Sequence, residues 1–356
     1  MHLRQRAATL ILTIAVLTCA LGCQSKSGGS AEQTINLSGA GSSFVNPIMS
    51  RWTSDYQKQH PNVLTNYQSV GSGAGIQQVK NGLVDFGASD AALDDAQLKT
   101  MPPVIQIPES AGPVCITYNL PQVQNLKLTP EALAGIYLGT IKTWHDPAIA
   151  SANSGATLPD LPIVVVHRSD GSGTTAIFTT YLGTVTPAWK QKVGQAISVS
   201  WPVGLGGKGS EGVTGVVRQT TGAIGYVELA YAVENKLPVA AVRNRAGHWI
   251  EPTAASTTAA IEAFASQLNK DVRIPIVDPP ATAADAYSIS GLTFLLVPKD
   301  GADKNKRAAL KGFIQYIVTT GQQIAPSLNY SQLPQSVTQL DQKLIREMTV
   351  GGQPLP

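Results

Sequence analysis

Hydrophobic positions follow two different periods along this chain. Short apolar runs typical of strands occur at 63–67, 84–88, 104–107, 114–118, 163–167, 224–227, 239–242 and 293–297. Between these runs apolar residues recur at helical spacing, first at Ile48, Trp52 and Tyr56 and then in four later segments. Thr129 followed by Pro130 predicts a capped helix start. The alternation predicts an α/β protein whose sheets are covered by helices.

Three segments rich in glycine and hydroxyl residues precede helical patterns. They read SGAGSSF at 38–44, GSGAG at 71–75 and DGSGTT at 170–175, and we expect all three to be loops. A helix N-terminus has free N–H groups and partial positive charge, and glycine lets an anion approach them closely. One such segment is typical of an ordinary capped turn, but three together indicate an oxyanion site shared between helix ends.

Charged residues close to these segments refine the hypothesis. Arg168 precedes the third segment and has the forked donors that suit an oxyanion, while Asp170 is close enough to hold its guanidinium. Asp90 ends the run that begins at Val84. A carboxylate beside an anion is costly unless the ligand carries a proton to donate, as phosphate does near neutral pH and sulfate does not. By itself, Asp90 is more typical of a helix cap or surface turn than of a ligand residue.

Length and composition fit a globular chain with more than one core. The chain has 356 residues, of which 43% are hydrophobic and 14% charged, and that length suits two lobes. The formal net charge is +3, and without residues 1–22 the chain has 24 basic and 23 acidic residues. No basic run is interleaved with aromatic residues, so we expect no nucleic-acid partner.

The N-terminus is typical of an export signal. Arg4 and Arg6 precede an uncharged apolar run, 7–21, that is short for a membrane span and suits a signal peptide. The run ends in ALGC, which resembles a lipobox and predicts cleavage after 1–22 and acylation of Cys23. The alternative is an ordinary cleaved signal. Residues 23–33 are rich in Ser and Gly and predict a lipid-anchored flexible tether.

Motifs for catalysis and for metal or cofactor binding are weak. Cys115 lies in an apolar run and is expected to be a buried thiol, and the five histidines show no metal-ligand spacing. The stretch GLGGKG at 204–209 fits a dinucleotide fingerprint but lacks a clear preceding strand, so we predict a loop there. No nucleophile-elbow pattern occurs. We therefore expect no metal, no cofactor and no enzymatic activity.

These motifs, taken in order, resemble the periplasmic phosphate-binding protein of the high-affinity phosphate ABC transporter. The resemblance adds DFGASD at 85–90, IYLG at 136–139, WPVGLGGKG at 201–209 and GAIGYVE at 222–228 to the segments above. It covers nearly all of the chain after the signal. It implies a two-lobed, type II binding-protein fold, in which each lobe is a mixed sheet covered by helices and the chain crosses between the lobes twice. Lobe 1 would be 34–107 plus 288–356, and lobe 2 would be 108–287.

The resemblance also implies a set of ligand residues. Position by position, phosphate would be bound by Ser43, Phe44, Ser72, Asp90, Arg168, Ser172, Gly173 and Thr174. Phe44 would act through its backbone N–H, and Asp170 would pair with Arg168.

The function implied is binding of inorganic phosphate outside the cytoplasmic membrane and its delivery to the membrane permease of an ABC transporter. We expect a lipid-anchored monomer. Two alternatives remain at this point: a binding protein for another tetrahedral oxyanion such as sulfate, and a serine-dependent phosphatase with His167 as its base. Asp90 argues against sulfate, and the sequence shows no orienting acid or metal cluster for the phosphatase.

Overall fold

A computed structural model describes residues 33–355 of the protein. The predicted signal peptide 1–22, Cys23 and nearly all of the predicted tether 23–33 therefore lie outside the described residues. The strands are β1 (Ile35–Gly41), β2 (Val63–Ser69), β3 (Phe86–Ser89), β4 (Val104–Tyr118), β5 (Lys127–Leu128), β6 (Val164–Arg168), β7 (Leu205–Gly207), β8 (Ala223–Glu228), β9 (Ala241–Arg243), β10 (Trp249–Ile250), β11 (Ser290–Pro298), β12 (Thr349–Val350) and β13 (Gln353–Pro354).

Helices lie between most of these strands. They are α1 (Asn46–Gln59), α2 (Ser72–Lys80), α3 (Asp95–Leu98), α4 (Pro130–Tyr137), α5 (Pro147–Ala150), α6 (Gly173–Val185), α7 (Pro187–Lys192), α8 (Gly209–Gln219), α9 (Leu229–Glu234), α10 (Ala254–Ala263), α11 (Ala265–Leu268), α12 (Lys304–Val318) and α13 (Gln335–Ile345). Ser151–Asn153 and Thr320–Leu328 form 3-10 turns. As predicted, the Thr129 side chain caps α4 by accepting from the N–H of Ala132.

Eight strands form a mixed sheet in the order β2-β1-β3-β11-β4-β8-β6-β7. On one side β1 runs parallel to β2 and β3, and on the other side β6 runs parallel to β7 and β8. β11 and β4 lie antiparallel between these two groups. β4 is 15 residues long: its part up to Pro113 pairs with β11, and from Val114 it pairs with β8. One continuous strand therefore belongs to both halves of the sheet.

Each half of the sheet has its own aromatic packing. Phe86 of β3 packs against Phe313 of α12 at a ring distance of 5.9 Å. On the other half, Tyr226 of β8 packs on Phe178 of α6 at 4.5 Å. All four rings are buried and belong to one continuous hydrophobic core, which extends under both halves of the sheet.

The predicted strand runs all fall within or overlap strands, and 104–107 and 114–118 are parts of the single strand β4. Cys115 is buried in β4, as expected. The loop predictions were wrong in part: residues 72–75 and 173–175 form the first turns of α2 and α6. Residues 38–41 belong to β1, because this strand packs through small residues between β2 and β3. Residues 205–207 form β7, because their backbone pairs with β6, and α8 begins at Gly209.

Candidate functional site

The N-terminal ends of four helices meet at the middle of the protein. α1 follows Ser43, α2 begins at Ser72, α6 begins at Gly173 and α8 begins at Gly209. The first three were expected from the glycine-rich segments. The fourth lies in the stretch predicted to be a loop, and its signal was the apolar spacing of Val213 and Val217 behind those glycines.

Hydrogen bonds join these helix ends in pairs. The N–H of Ser210 donates to the Ser43 hydroxyl oxygen at 3.0 Å, which ties α8 to the segment before α1. The N–H of Gly73 donates to the carbonyl oxygen of Gly171 at 2.9 Å, which ties α2 to the segment before α6. The structure therefore brings together residues that are far apart in the sequence, as an oxyanion site requires.

Arg168 is the positive charge of this region. It ends β6, is 3% exposed and donates from Nε and from one terminal nitrogen to the two oxygens of Asp170, at 2.8 and 2.6 Å. Burial favours the neutral form of both groups, but the Arg168 charge and the N–H of Gly209 hold the pKa of Asp170 below its usual value. The pair is thus ionised, and Asp170 fixes the orientation of the guanidinium.

Asp90 is the negative charge of the region, and it lies just beyond the end of β3. It is 5% exposed and accepts hydrogen bonds from the Ser42 hydroxyl and, at 3.2 Å, from the Thr174 hydroxyl. Burial raises the pKa of Asp90 to about 6, and the donors and the charge of Arg168 limit this rise. Near neutral pH this carboxyl is therefore mainly ionised and accepts hydrogen bonds.

The remaining predicted residues line the same region. Ser72 Oγ accepts from the N–H of Asp90 at 3.3 Å. Ser172 is the N-cap of α6 and accepts from the N–H of Thr175. The aromatic ring of Phe44 is buried, which leaves its backbone as the polar part near Ser43.

Several residues of the region were not identified from the sequence. Ser42 and Ser210 contact Asp90 and Ser43 directly, as described above. The hydroxyl of Tyr226 accepts from the N–H of Arg168 at 3.1 Å and lies 2.6 Å from the Thr175 hydroxyl. Tyr231 donates to the carbonyl oxygen of Ser43 at 2.6 Å. A tyrosine far away in the chain carries no pattern that assigns it to this site.

His167 is not arranged as a general base. Its Nδ1 lies 3.0 Å from the carbonyl oxygen of Arg168, and its ring stacks on Trp201 at 4.9 Å. Burial lowers the pKa of this imidazole. Its Nδ1–H is thus used in a local backbone contact. Within the described part of the chain, no cluster of His, Cys, Asp and Glu could hold a metal ion.

This architecture defines a class of substrate-binding protein. Its members have two lobes joined by long strands, with charged side chains and helix ends between the lobes. The sequence model of the PBP superfamily domain matches residues 27–320 of this chain. A solved structure of a high-affinity periplasmic phosphate-binding protein (PfluDING) bound with phosphate has a TM-score of 0.69 and 23% identity, and the match covers 87% of this chain and 93% of that one. A putative phosphate ABC transporter substrate-binding protein from Clostridium perfringens has a TM-score of 0.61 and 20% identity, with coverages of 84% and 100%. These likenesses confirm the two-lobed type II fold.

Relatives in sequence identify one family within this class of substrate-binding proteins. A phosphate-binding protein PstS of Xylella fastidiosa (strain Temecula1) is 46% identical over 309 residues, covering 86% of this chain and 84% of the relative. A phosphate-binding protein PstS of Methanocaldococcus jannaschii is 36% identical over an alignment of 359 positions, covering 93% and 91%. This chain belongs to the PstS family of phosphate-binding proteins within the PBP superfamily. The resemblance stated from its motifs is thereby confirmed.

Proposed function

We propose that this protein binds inorganic phosphate between its two lobes and delivers it to the permease of an ABC transporter for uptake. It acts as a binding protein and not as an enzyme, in line with the names of its relatives. The observation that carries the proposal is the buried Asp90 beside the donors of Arg168 and Thr174. A buried acceptor among donors suits an anion that still carries a proton.

Each wall of the site has a separate role in this proposal. On the first wall, the Ser43 and Ser72 hydroxyls and the Phe44 N–H donate to phosphate oxygens, and Asp90 accepts from the P–OH group. On the opposite wall, Arg168 donates its remaining guanidinium N–H groups, and the start of α6 supplies Ser172, Gly173 and Thr174. Asp170 does not touch the ligand but holds Arg168 in position.

We propose the lobe boundaries that the resemblance implies, with lobe 1 as 34–107 plus 288–356 and lobe 2 as 108–287. Their support is the pairing of β4, which changes partner from β11 to β8 after Pro113. β11, the strand that follows the second boundary, begins at Ser290. Two nearby crossings between lobes are the arrangement that hinge closure on a small ion needs.

We further propose that the mature protein lies outside the cytoplasmic membrane, anchored through acylated Cys23 and monomeric. The lipobox-like ALGC supports the anchor. No helix within residues 33–355 has both the length and the apolar character needed to cross a membrane.

Calorimetric titration tests the binding proposal. Protein stripped of endogenous ligand is titrated with phosphate and with sulfate at neutral pH and fixed ionic strength. We expect phosphate to bind about a thousandfold more tightly, because sulfate has no proton for Asp90 and would face an unpaired carboxylate. Equal affinity for both anions, or no binding of phosphate, would refute the assigned ligand. Turnover of a chromogenic phosphate ester would instead favour the phosphatase.

A further inference from the structure

A buried carboxyl other than Asp90 lies next to the site, on a bulge of β4. The register of β4 against β11 shifts at this point: Phe294 pairs with Pro108, whereas Thr293 pairs with Ser110. Glu109 is the extra residue between them. In a β-bulge two residues face one residue of the partner strand, and the bulge redirects a side chain. Glu109 is therefore placed on the same side of the sheet as Thr293.

The contacts of Glu109 agree with this placement. Its Oε1 lies 3.1 Å from the Thr293 hydroxyl, and within residues 33–355 its Oε2 has no hydrogen-bond partner. The residue is fully buried, and its backbone carbonyl accepts from the side-chain amide of Gln322 at 2.8 Å. An acidic side chain held this tightly inside the protein calls for a specific role.

Thr293 connects Glu109 to the site. β11 pairs antiparallel with β3, with Phe294 opposite Ser89, so the next residue along each strand places Thr293 beside Asp90. The Thr293 hydroxyl lies close enough to the Asp90 carboxyl to lower its pKa. Three neighbouring strands thus place Glu109, Thr293 and Asp90 in one row across the sheet.

We propose that Glu109 is a positioning residue of the phosphate site. Its neutral carboxyl donates a hydrogen bond to the Thr293 hydroxyl, and this hydroxyl therefore directs its single proton to Asp90. A hydroxyl has one proton to donate but can accept as well. When Glu109 is neutral, Thr293 accepts from Glu109 and donates to the Asp90 carboxylate. The inference rests on the proposed function, in which Asp90 must be a charged acceptor for the P–OH group.

Burial, together with the charge of Asp90, keeps Glu109 neutral. Burial raises the pKa of Glu109 well above its usual value, the bond to Thr293 opposes that rise, and the charge of Asp90 adds to it. Tyr67 of β2 also interacts with Glu109. Asp90 faces Arg168 from β6, and this opposite charge favours its ionised form. The Glu109 and Asp90 carboxyls are thereby driven to opposite protonation states. This is the condition for the relay, by which we mean the chain of hydrogen bonds from Glu109 through Thr293 to Asp90.

Carboxyl ¹³C NMR on the protein stripped of ligand tests the relay without depending on phosphate. The Asp90 signal is assigned by its absence in Asp90→Asn, and its titration midpoint is measured in four proteins. We expect a midpoint near 6 in the wild type and an unchanged midpoint in Glu109→Gln, whose amide still donates to Thr293. Thr293→Val should raise the midpoint by about half a unit or more, because the charged form of Asp90 loses a donor. Glu109→Leu should raise the Asp90 midpoint by a smaller amount, because Glu109 no longer directs the Thr293 proton to Asp90.

Three results would overturn the proposal. An unchanged midpoint in Thr293→Val would show that this hydroxyl does not stabilise the Asp90 carboxylate. A lower midpoint in both Glu109→Gln and Glu109→Leu would show that Glu109 is ionised and competes for the Thr293 proton. A wild-type midpoint in Glu109→Leu would show that Glu109 does not direct the Thr293 proton to Asp90. If Glu109→Leu does not fold, the other two variants still decide the question.

Sulfate titration links the relay to the ligand. Sulfate stays fully charged from pH 5 to 8, and only neutral Asp90 can donate to it, so wild-type sulfate affinity should fall as pH rises through the Asp90 midpoint. In Thr293→Val this fall should move to higher pH, whereas in Glu109→Gln it should not move. A wild type that binds no phosphate would refute the proposed function but leave the NMR test of the relay intact.

Discussion

The backbone N–H of Gly73 donates to the carbonyl oxygen of Gly171 at 2.9 Å. Gly73 lies in the first turn of α2, and Gly171 lies in the segment before α6. A Cβ atom added at Gly73 would come within 3.0 Å of the Gly171 Cα. Backbone therefore meets backbone on the two sides of the site, and no side chain separates them.

This contact predicts that a side chain at Gly73 will oppose closure of the site. Overpacking of this kind typically costs about 1–3 kcal/mol, so Gly73→Val should weaken phosphate binding by roughly 5- to 150-fold. Calorimetry measures the affinity, and solution scattering with saturating phosphate should show a less compact particle than the wild type.

Gly215→Ala is the matched control for Gly73→Val. It also lies in a helix, and a Cβ there meets nothing within 4 Å. Its affinity and scattering profile should equal those of the wild type. Wild-type binding in Gly73→Val would mean that the two segments separate without loss, and that their contact is not part of the bound state.

Arg168→Ala should weaken phosphate binding by roughly 30-fold to several thousandfold. Truncating one partner of a buried, hydrogen-bonded charge contact typically costs about 2–5 kcal/mol. Asp170→Asn should cost less, because it keeps Arg168 and only loosens its orientation. Titration of both variants under the same conditions gives the comparison. An Arg168→Ala variant that retains wild-type affinity would remove this residue from the site.

Asp90→Asn should narrow the preference for phosphate over sulfate mainly by admitting sulfate. The change removes a negative charge next to the anion and supplies N–H donors in its place. Phosphate affinity should fall only modestly. Paired titrations of wild type and variant with both anions give the ratio. If the ratio is unchanged, the discrimination arises from other residues.

Asp341 on α13 should make the protein less stable as pH rises. It is fully buried, and within the described chain neither carboxylate oxygen has a hydrogen-bond partner. Burial raises the pKa of Asp341 to about 8. The neutral carboxyl is favoured in the folded state, so its contribution is complete below the unfolded pKa of about 4 and is lost as pH rises towards 8.

Asp341→Asn removes this ionisation. Relative to the wild type, its free energy of unfolding should gain with rising pH between about 4 and 8, with a slope of at most about 1.4 kcal/mol per pH unit, and level off above 8. Urea unfolding at pH 5, 7 and 8.5 measures the difference. A difference that is constant with pH would show that Asp341 does not titrate in this range.

Cys23→Ser should release the protein from the membrane fraction or leave its signal uncleaved, because serine cannot form the thioether of a lipid anchor. Fractionation and immunoblotting of cells expressing each form measure both effects. A variant that is processed and membrane-bound like the wild type would rule out the anchor.

Local pattern was enough to predict much of the fold. The apolar runs that became β4, β8 and β11 are continuous or nearly so, because these strands are buried on both faces. β1 was missed because it consists largely of small residues, which suit close packing against its neighbours but carry no hydrophobic signal. β7 was missed for a related reason, since three glycine-rich residues form a strand only through pairing with β6.

For the site, the sequence indicated the residues next to the glycine-rich helix starts. Arg168 and Asp170 are two positions apart, so their pairing is a local property of the chain. Contacts between Asp90 and Thr293, or between Ser43 and Ser210, depend on strand order and on the approach of the two lobes. The role of Glu109 depends on a bulge, which is set by the register between β4 and β11 and not by the residues of β4 alone.

The position of β11 in the sheet has a consequence for how the protein is made. β11 lies between β3 and β4, although it comes from residues 290–298 of a chain of 356. The first half of the sheet therefore cannot close until most of the polypeptide has been synthesised, and such long-range pairing is intrinsically slow. Until β11 has been synthesised, β3 and β4 lack the strand that lies between them, and this half of the sheet stays unformed. That order of synthesis suits the proposed location outside the cytoplasmic membrane, because a chain that has not yet folded can be threaded through a membrane.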